Sequence, residues 1–267
     1  MTSFQPLFSG SSGNCTLVTS GGGALLIDAG VSCRAITGAL AQTGVSPGSL
    51  DGILITHEHS DHIKGLAVFT KRYPIPVYGS RQVLEFLAEG GYVHPGVPLV
   101  EISSSTQIGG MTVTPFDTSH DSVHSLGFRI ETEDGYSIGI ATDLGTVTEP
   151  VQAGLAGCDL VMLESNYDEG MLACSGYPYQ LKRRISSRKG HLENKACADE
   201  LAELAKGGTR RFVLCHLSRE NNLPELALQT VYAKMEEIGL QAAEYTIQAA
   251  RRDEPSPAVR LGAAESV

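Results

Sequence analysis

The first part of the chain alternates short apolar runs with glycine- and serine-rich breaks. FQPLF, CTLVTS and ALLID are split by SGSSGN and SGGG, which predicts a meander of strands. CRAITGALAQTG has apolar positions at helical spacing and stops at Gly44. ILIT then reads as a buried strand, IKGLAVFTKRY as a helix halted before Pro74, PVYG as a strand and RQVLEFLAEGG as a helix with a glycine stop. LVEIS, MTVTPFDTS, LGFRIETED and YSIGIATD are consecutive strands, with a hairpin turn at Asp134-Gly135. DLVMLES is another buried strand, and 179–206 read as helical with a break near Lys189-Gly190. RRFVLCHLS is a strand, LPELALQTVYAKMEEIG a helix and AEYTIQA a last strand. Meanders mixed with crossovers predict an α/β protein, two sheets packed together with helices outside. One domain is expected over 1–250, and the tail 251–267, with Pro255 and Pro257, is expected to be frayed.

The polar residues that interrupt this pattern fall at strand ends. Asp28 follows LLI, His57 follows ILIT, His120 follows TPFDTS, Asp143 follows GIAT, Glu164 follows VML and His216 follows FVLC. A lone histidine after a strand is an ordinary loop residue. A series of ligand-type residues at successive strand ends is the pattern of a site along one sheet edge, where open α/β sheets bind ligands. The run His57-Glu58-His59-Ser60-Asp61-His62 has its own logic. Residues two apart in extended backbone face the same way, so His57 and His59 can hold one ion, while Asp61 and His62, at the start of a helix, face a second position. Imidazole and carboxylate suit borderline cations such as Zn²⁺ or Mn²⁺. Helix capping by Ser60 or Asp61 would explain one residue and not five.

Composition narrows the classes. The chain has 267 residues, 42% hydrophobic and 19% charged, which is globular and large enough to fold without disulfides or a structural metal. Six cysteines without a CxxC pair suggest reduced thiols and a cytoplasmic protein. No apolar run is long enough for a bilayer, and the N-terminus lacks a signal-peptide pattern, so no membrane partner is expected. A net charge of -10 argues against a general polyanion binder, although a local basic patch or bound cations can reverse the sign locally. The clear basic run is KRRISSRKGHLENK, with Lys182, Arg183, Arg184, Arg188, Lys189 and Lys195 against Glu193. It suits a phosphate backbone, with Arg183 and Arg184 as candidate contacts, or is a solvated helix face. Ser11, Ser12 and Asn14 form either a backbone nest for a substrate phosphate or a tight turn.

At these residues the chain resembles the metallo-β-lactamase-fold hydrolases. HxHxDH is their central signature; Asp28 in LLIDAG matches the first motif, and His120, Asp143 and His216 match the third, fourth and fifth. The resemblance implies an αββα metallo-β-lactamase-type four-layer sandwich with two mixed sheets. It implies two divalent metal ions (Zn, Mn or Fe), one on His57, His59 and His120, the other on Asp61, His62 and His216, with Asp143 bridging and Asp28 orienting the HxHxDH loop. His124 competes with His120, which is favoured because it ends the strand. Asp143 stands where the zinc lactamases carry Cys, which favours phosphodiesterase, thioesterase or lactonase chemistry over antibiotic hydrolysis.

The finer resemblance is to the YycJ/WalJ-like branch, proposed DNA-processing exonucleases. FSGSSGNCTL, PFDTSHDSVHSLGF, GIATDLG, LESNYD, KGHLEN and CHLSRENN all look like that branch. It implies a metal-dependent hydrolase, most readily a phosphodiesterase acting on nucleic acid as a 5′–3′ DNA exonuclease through a metal-bridging hydroxide. Asp61, His191 and Glu164 are the catalytic candidates. Glu164 and His191 resemble the proton shuttle of related tRNA-processing nucleases, and Gly190 is expected to give His191 freedom to approach the leaving group. A small-molecule hydrolase (cyclic-nucleotide phosphodiesterase, thioesterase or lactonase) would use the same ligands without the basic run. A non-catalytic metal-binding regulator is the third possibility, and the intact ligand set argues against it.

Overall fold

Strand β1 (Thr2–Phe8) buries alternate residues as far as Pro6, where its register against the next strand slips. It pairs antiparallel with β2 (Cys15–Ser20), and β2 with β3 (Gly23–Ile27), so the expected meander is present. The computed structural model describes residues 1–262, and Ala263 to the C-terminus lie outside that range. The chain continues through α1 (Cys33–Thr43), β4 (Gly52–Leu54), α2 (Ser60–Ile63), α3 (Leu66–Arg72), β5 (Val77–Gly79), α4 (Arg81–Glu89) and β6 (Leu99–Glu101). Then come β7 (Thr106–Ile108), β8 (Met111–Asp117), β9 (Leu126–Glu131), β10 (Ser137–Ala141), α5 (Glu149–Leu155), β11 (Leu160–Glu164), α6 (Glu169–Cys174) and α7 (Tyr179–Ile185). The last elements are α8 (Asn194–Lys206), β12 (Arg211–Cys215), α9 (Pro224–Glu237), β13 (Thr246–Ala249) and β14 (Val259–Leu261). The strands form two mixed seven-stranded sheets, ordered β14-β1-β2-β3-β4-β5-β6 and β13-β12-β11-β10-β9-β8-β7.

Contacts divide the chain into two compact units. The first comprises 1–115, 130–136 and the C-terminal segment from 251. Its core packs α1 and α3 on the sheet through Ile36, Leu40, Ile53, Leu66 and Phe69, all fully buried. In it β3 and β4 run parallel with Ile27 opposite Leu54, so the residues that follow both strands emerge at the same edge. The second unit comprises 116–129 and 137–250. Its core joins α8 and α9 to the sheet through Leu163, Leu201, Phe212 and Val231. There β10, β11 and β12 run parallel, with Ala141 opposite Leu163 and Glu164 opposite Cys215. Asp143, Glu164 and His216 therefore leave neighbouring strands at one edge.

Several expectations are corrected. The segment from 251 is not frayed over its described part. β14 pairs antiparallel with β1, Ser256 N donates to the Pro6 carbonyl at 2.9 Å, and Ser256 is buried. The short run VRL becomes a strand because β1 offers an unpaired edge. The expected helix IKGLAVFTKRY is broken into α2 and α3 at Gly65, whose N–H donates to the Ala29 carbonyl at 2.8 Å. β7, α5 and α6 were not anticipated; each is short, and α6 is started by Asp168, whose side chain accepts from Met171 N at 2.8 Å.

Candidate functional site

In the first unit the HxHxDH loop is built on Asp28. This buried carboxylate accepts from Thr56 N at 2.9 Å, from the Thr56 hydroxyl at 2.9 Å and from His62 Nδ1 at 2.7 Å. With its proton given to Asp28, the Thr56 hydroxyl can only accept from His57 Nδ1, 3.0 Å away. Both imidazoles are thus held through Nδ1, which leaves Nε2 as the lone-pair donor. Asn14 agrees with that tautomer: its Oδ1 accepts from Gly10 N at 2.9 Å, so its amide Nδ2 is the atom 3.0 Å from His62 Nε2. The rings of His57 and His59 lie 4.7 Å apart and those of His57 and His62 4.1 Å apart, and Asp61 Oδ2 is 3.6 Å from His62 Nε2. Gly30 allows the 28–31 loop to lie against the Asp61 backbone, because a Cβ there would overlap the Asp61 carbonyl.

In the second unit Glu164 plays the equivalent part. It is fully buried, and its Oε1 accepts from His191 Nδ1 and His216 Nδ1, each at 2.8 Å. Its Oε2 accepts from Leu144 N at 2.9 Å and Leu192 N at 3.0 Å. Burial by itself would raise this carboxyl, but the charge and hydrogen bond of His191 and the hydrogen bond of His216 bring it below the ordinary glutamate value. Burial likewise opposes a charge on His191, and Glu164 outweighs it, so His191 sits above the usual imidazole value. His120 is lowered by burial. Its Nδ1 donates to the Gly190 carbonyl at 2.9 Å, which again leaves Nε2. One donor atom from each of Asp143, Glu164, His191 and His216 lies within 4.8 Å of the others. Among the described residues three non-glycine residues have left-handed φ: Asp28 (61°), Asp143 (49°) and His216 (52°). Each is a strand-end residue of the series read from sequence, and strain of about 1–3 kcal/mol at such positions is typical of functional sites.

The other site candidates fall out differently. His124 is bonded to Asp117 at 2.9 Å, whereas His120 Nε2 lies 3.9 Å from Asp143. Ser11 and Ser12 are exposed. Asn14 is buried and tied to the HxHxDH loop, its N donating to the Asp61 carbonyl at 2.7 Å, so it positions that loop. Arg183 is exposed, 5.9 Å over the Tyr179 ring, while Arg184 forks onto Asp121 at 2.5 and 3.0 Å and is already engaged. Gly190 is no hinge: it is buried, and a Cβ would strike the carbonyls of Arg184 and Ile185. Sequence reasoning missed Thr56, and also the buried amides of SN and ENN. Asn222 Nδ2 donates to the carbonyls of Ser165 and Asn166 at 2.8 and 3.0 Å, and Asn166 Nδ2 donates to the His216 carbonyl at 2.7 Å. Their signal was the asparagine content of the motifs.

Thr56 carries a direct expectation. Thr56→Val keeps the shape but removes the hydroxyl that links His57 to Asp28. Metal affinity should fall by about 10–100-fold, as for other partners behind a ligating histidine. Titration of the metal-stripped protein checks this, and unchanged affinity would leave Thr56 a strand residue only.

The donors fit a divalent metal site: imidazole nitrogens fixed in one tautomer beside carboxylates are the set that borderline cations select. The chain belongs to the metallo-β-lactamase-fold hydrolases: the β-lactamase superfamily domain matches residues 24–217. It is an enzyme of the metal-dependent hydrolase class, and its two mixed sheets flanked by helices are those of the αββα fold. It is similar to Exodeoxyribonuclease YycJ of Bacillus anthracis, 33% identical over 243 residues that cover 90% of this chain and 92% of that one. Exodeoxyribonuclease WalJ of Streptococcus pneumoniae is 33% identical over 241 residues, 89% of either chain. Among solved structures, the metallo-β-lactamase fold protein YhfI of Bacillus subtilis shares the fold with a TM-score of 0.72 at 16% identity, covering 96% of this chain and 99% of its own. No helix among the described residues is long and apolar enough to cross a membrane.

Proposed function

We propose that the protein is a dinuclear metal-dependent phosphodiesterase that degrades nucleic acid, as a 5′–3′ DNA exonuclease. The hydrolytic half of this reading is carried by the common hold of Glu164 Oε1 on His191 and His216, which aligns two imidazoles beside Asp143. The nucleic-acid half is supported by the names of the relatives, exodeoxyribonucleases similar over nine-tenths of the chain. His57, His59 and His120 would hold one ion and Asp61, His62 and His216 the other, with Asp143 between them. Bound there, such ions supply an activated water and charge neutralisation at the scissile phosphate. Asp28, Thr56 and Glu164 orient the ligating imidazoles. His191 keeps Nδ1 on Glu164, so its Nε2 is the atom that gives a proton to the leaving oxygen. Arg183, exposed on α7, contributes to backbone binding.

The test is turnover of end-labelled duplex DNA and of bis-p-nitrophenyl phosphate, a lactone and a thioester, with chelator and then with Mn²⁺ or Zn²⁺. Both phosphodiesters should be cut only with metal restored. Turnover of the lactone or thioester without the duplex would move the protein to the small-molecule class. Arg183→Glu should weaken duplex binding and reduce the slope of log affinity against log salt by about 0.9. An unaltered slope would make the basic helix a solvated face.

A further inference from the structure

The second unit has an open cleft of about 460 Å³ that the Glu164–His191 pair does not use. Its wall includes His120, Ser119, Ser122, Thr148 and Lys189. Part of the lining is already committed. Thr118 donates to Ser125 Oγ at 2.6 Å, Ser119 to the Arg188 carbonyl at 2.7 Å, and the carboxylate of Asp117 is paired with His124 at 2.9 Å. Three donors are not. Ser122 Oγ is buried without a hydrogen-bond partner. Thr148 precedes α5 but its side chain makes no capping bond. Lys189 is exposed and has no ion pair among the described residues. Buried hydroxyls without a partner are rare, and one on a residue that lines a cleft is satisfied when its side chain turns toward a ligand that supplies the acceptor. An ammonium and two hydroxyls can all donate to one group rich in acceptor oxygen, and on a nucleic acid that group is a phosphate. At the same cleft Val123 is 52% exposed and Pro150 is exposed, apolar surface of the kind a sugar or base covers. The volume is in the range of small-ligand pockets, about 300–1,000 Å³.

We propose that this cleft is a nucleotide subsite, in which Lys189, Ser122 and Thr148 bind the phosphate next to the one that is cleaved. His120, shared between the cleft and the candidate metal ligands, makes the subsite contiguous with the chemistry. The inference rests on the nucleic-acid reading above. One residue of the short basic run, Lys189, meets a phosphate inside a shaped cleft, while Arg184 is engaged by Asp121 and Lys182 by the Ala173 carbonyl.

The probe is thymidine 3′,5′-bisphosphate, compared with thymidine 5′- and 3′-monophosphate by calorimetric titration of the metal-loaded protein. A monophosphate satisfies the metals alone, and the bisphosphate can also fill the subsite. The bisphosphate should bind about tenfold or more tighter than either monophosphate, the worth of a charge-assisted contact. Ser122→Ala/Thr148→Val/Lys189→Ala should erase that preference while monophosphate binding falls far less. Lys189→Glu alone, at an exposed side chain, keeps the test available if the triple variant does not fold. Equal affinity of wild type for all three nucleotides, or a preference that survives both variants, overturns the proposal. Absence of duplex cleavage with the preference intact would instead remove the nuclease reading and leave the subsite standing.

Discussion

His191→Ala should lower turnover of duplex DNA by about 10²–10⁴-fold, the usual worth of a general acid. The metal content should remain complete, because the imidazole lies outside the proposed ligand set and Glu164 still holds His216. DNA affinity should stay near that of the wild type. Hydrolysis of bis-p-nitrophenyl phosphate should suffer much less, since nitrophenolate leaves with little need of a proton. The two substrates measured on one metal-replete variant separate the roles. Equal losses on both, or a loss of metal, would mean that His191 packs or ligates and does not deliver a proton.

Glu164→Gln has the second large expected effect, and a different signature. The carboxylate accepts four hydrogen bonds, two from imidazoles and two from backbone amides of Leu144 and Leu192. A glutamine must turn a donor toward one of those pairs. Either His191 and His216 or the two amides then face an NH₂ group, at about 1–3 kcal/mol for each buried group left unsatisfied. The melting temperature should fall by about 2–4 °C for each kcal/mol lost. Metal affinity should fall by about 10–100-fold as His216 loses the bond that sets its tautomer. Thermal unfolding with and without metal, together with metal content, measures both effects. A variant that melts and binds metal like the wild type would refute the organising role of Glu164.

The two substitutions also mark the boundary between what can be read in one dimension and what cannot. Apolar period and glycine breaks report local structure. They located β1 to β5, α1, α4 and the α9–β13 passage, and they placed Asp28, Asp143 and His216 after strands. The spacing of HxHxDH is also local, since residues two apart in extended chain share a face. The family was legible for the same reason: HxHxDH and the strand-end residues Asp28, His120, Asp143 and His216 follow one another along the chain.

The support behind the candidate ligands was not legible. Thr56 reads as a β-branched strand former, and only the approach of Asp28 makes its hydroxyl a link between that carboxylate and His57. Arg184 reads as a free cation until Asp121, far away in sequence, forks onto it. Gly190 reads as a hinge, and the fold makes it a point of close backbone contact. β14 has too few residues to announce itself and exists because β1 leaves an edge to pair. The sequence by itself determined which side chains stand at strand ends, because strand period and chain order are properties of neighbours. Tertiary structure decided which nitrogen of each imidazole carries the proton, because that depends on acceptors supplied by residues tens of positions away.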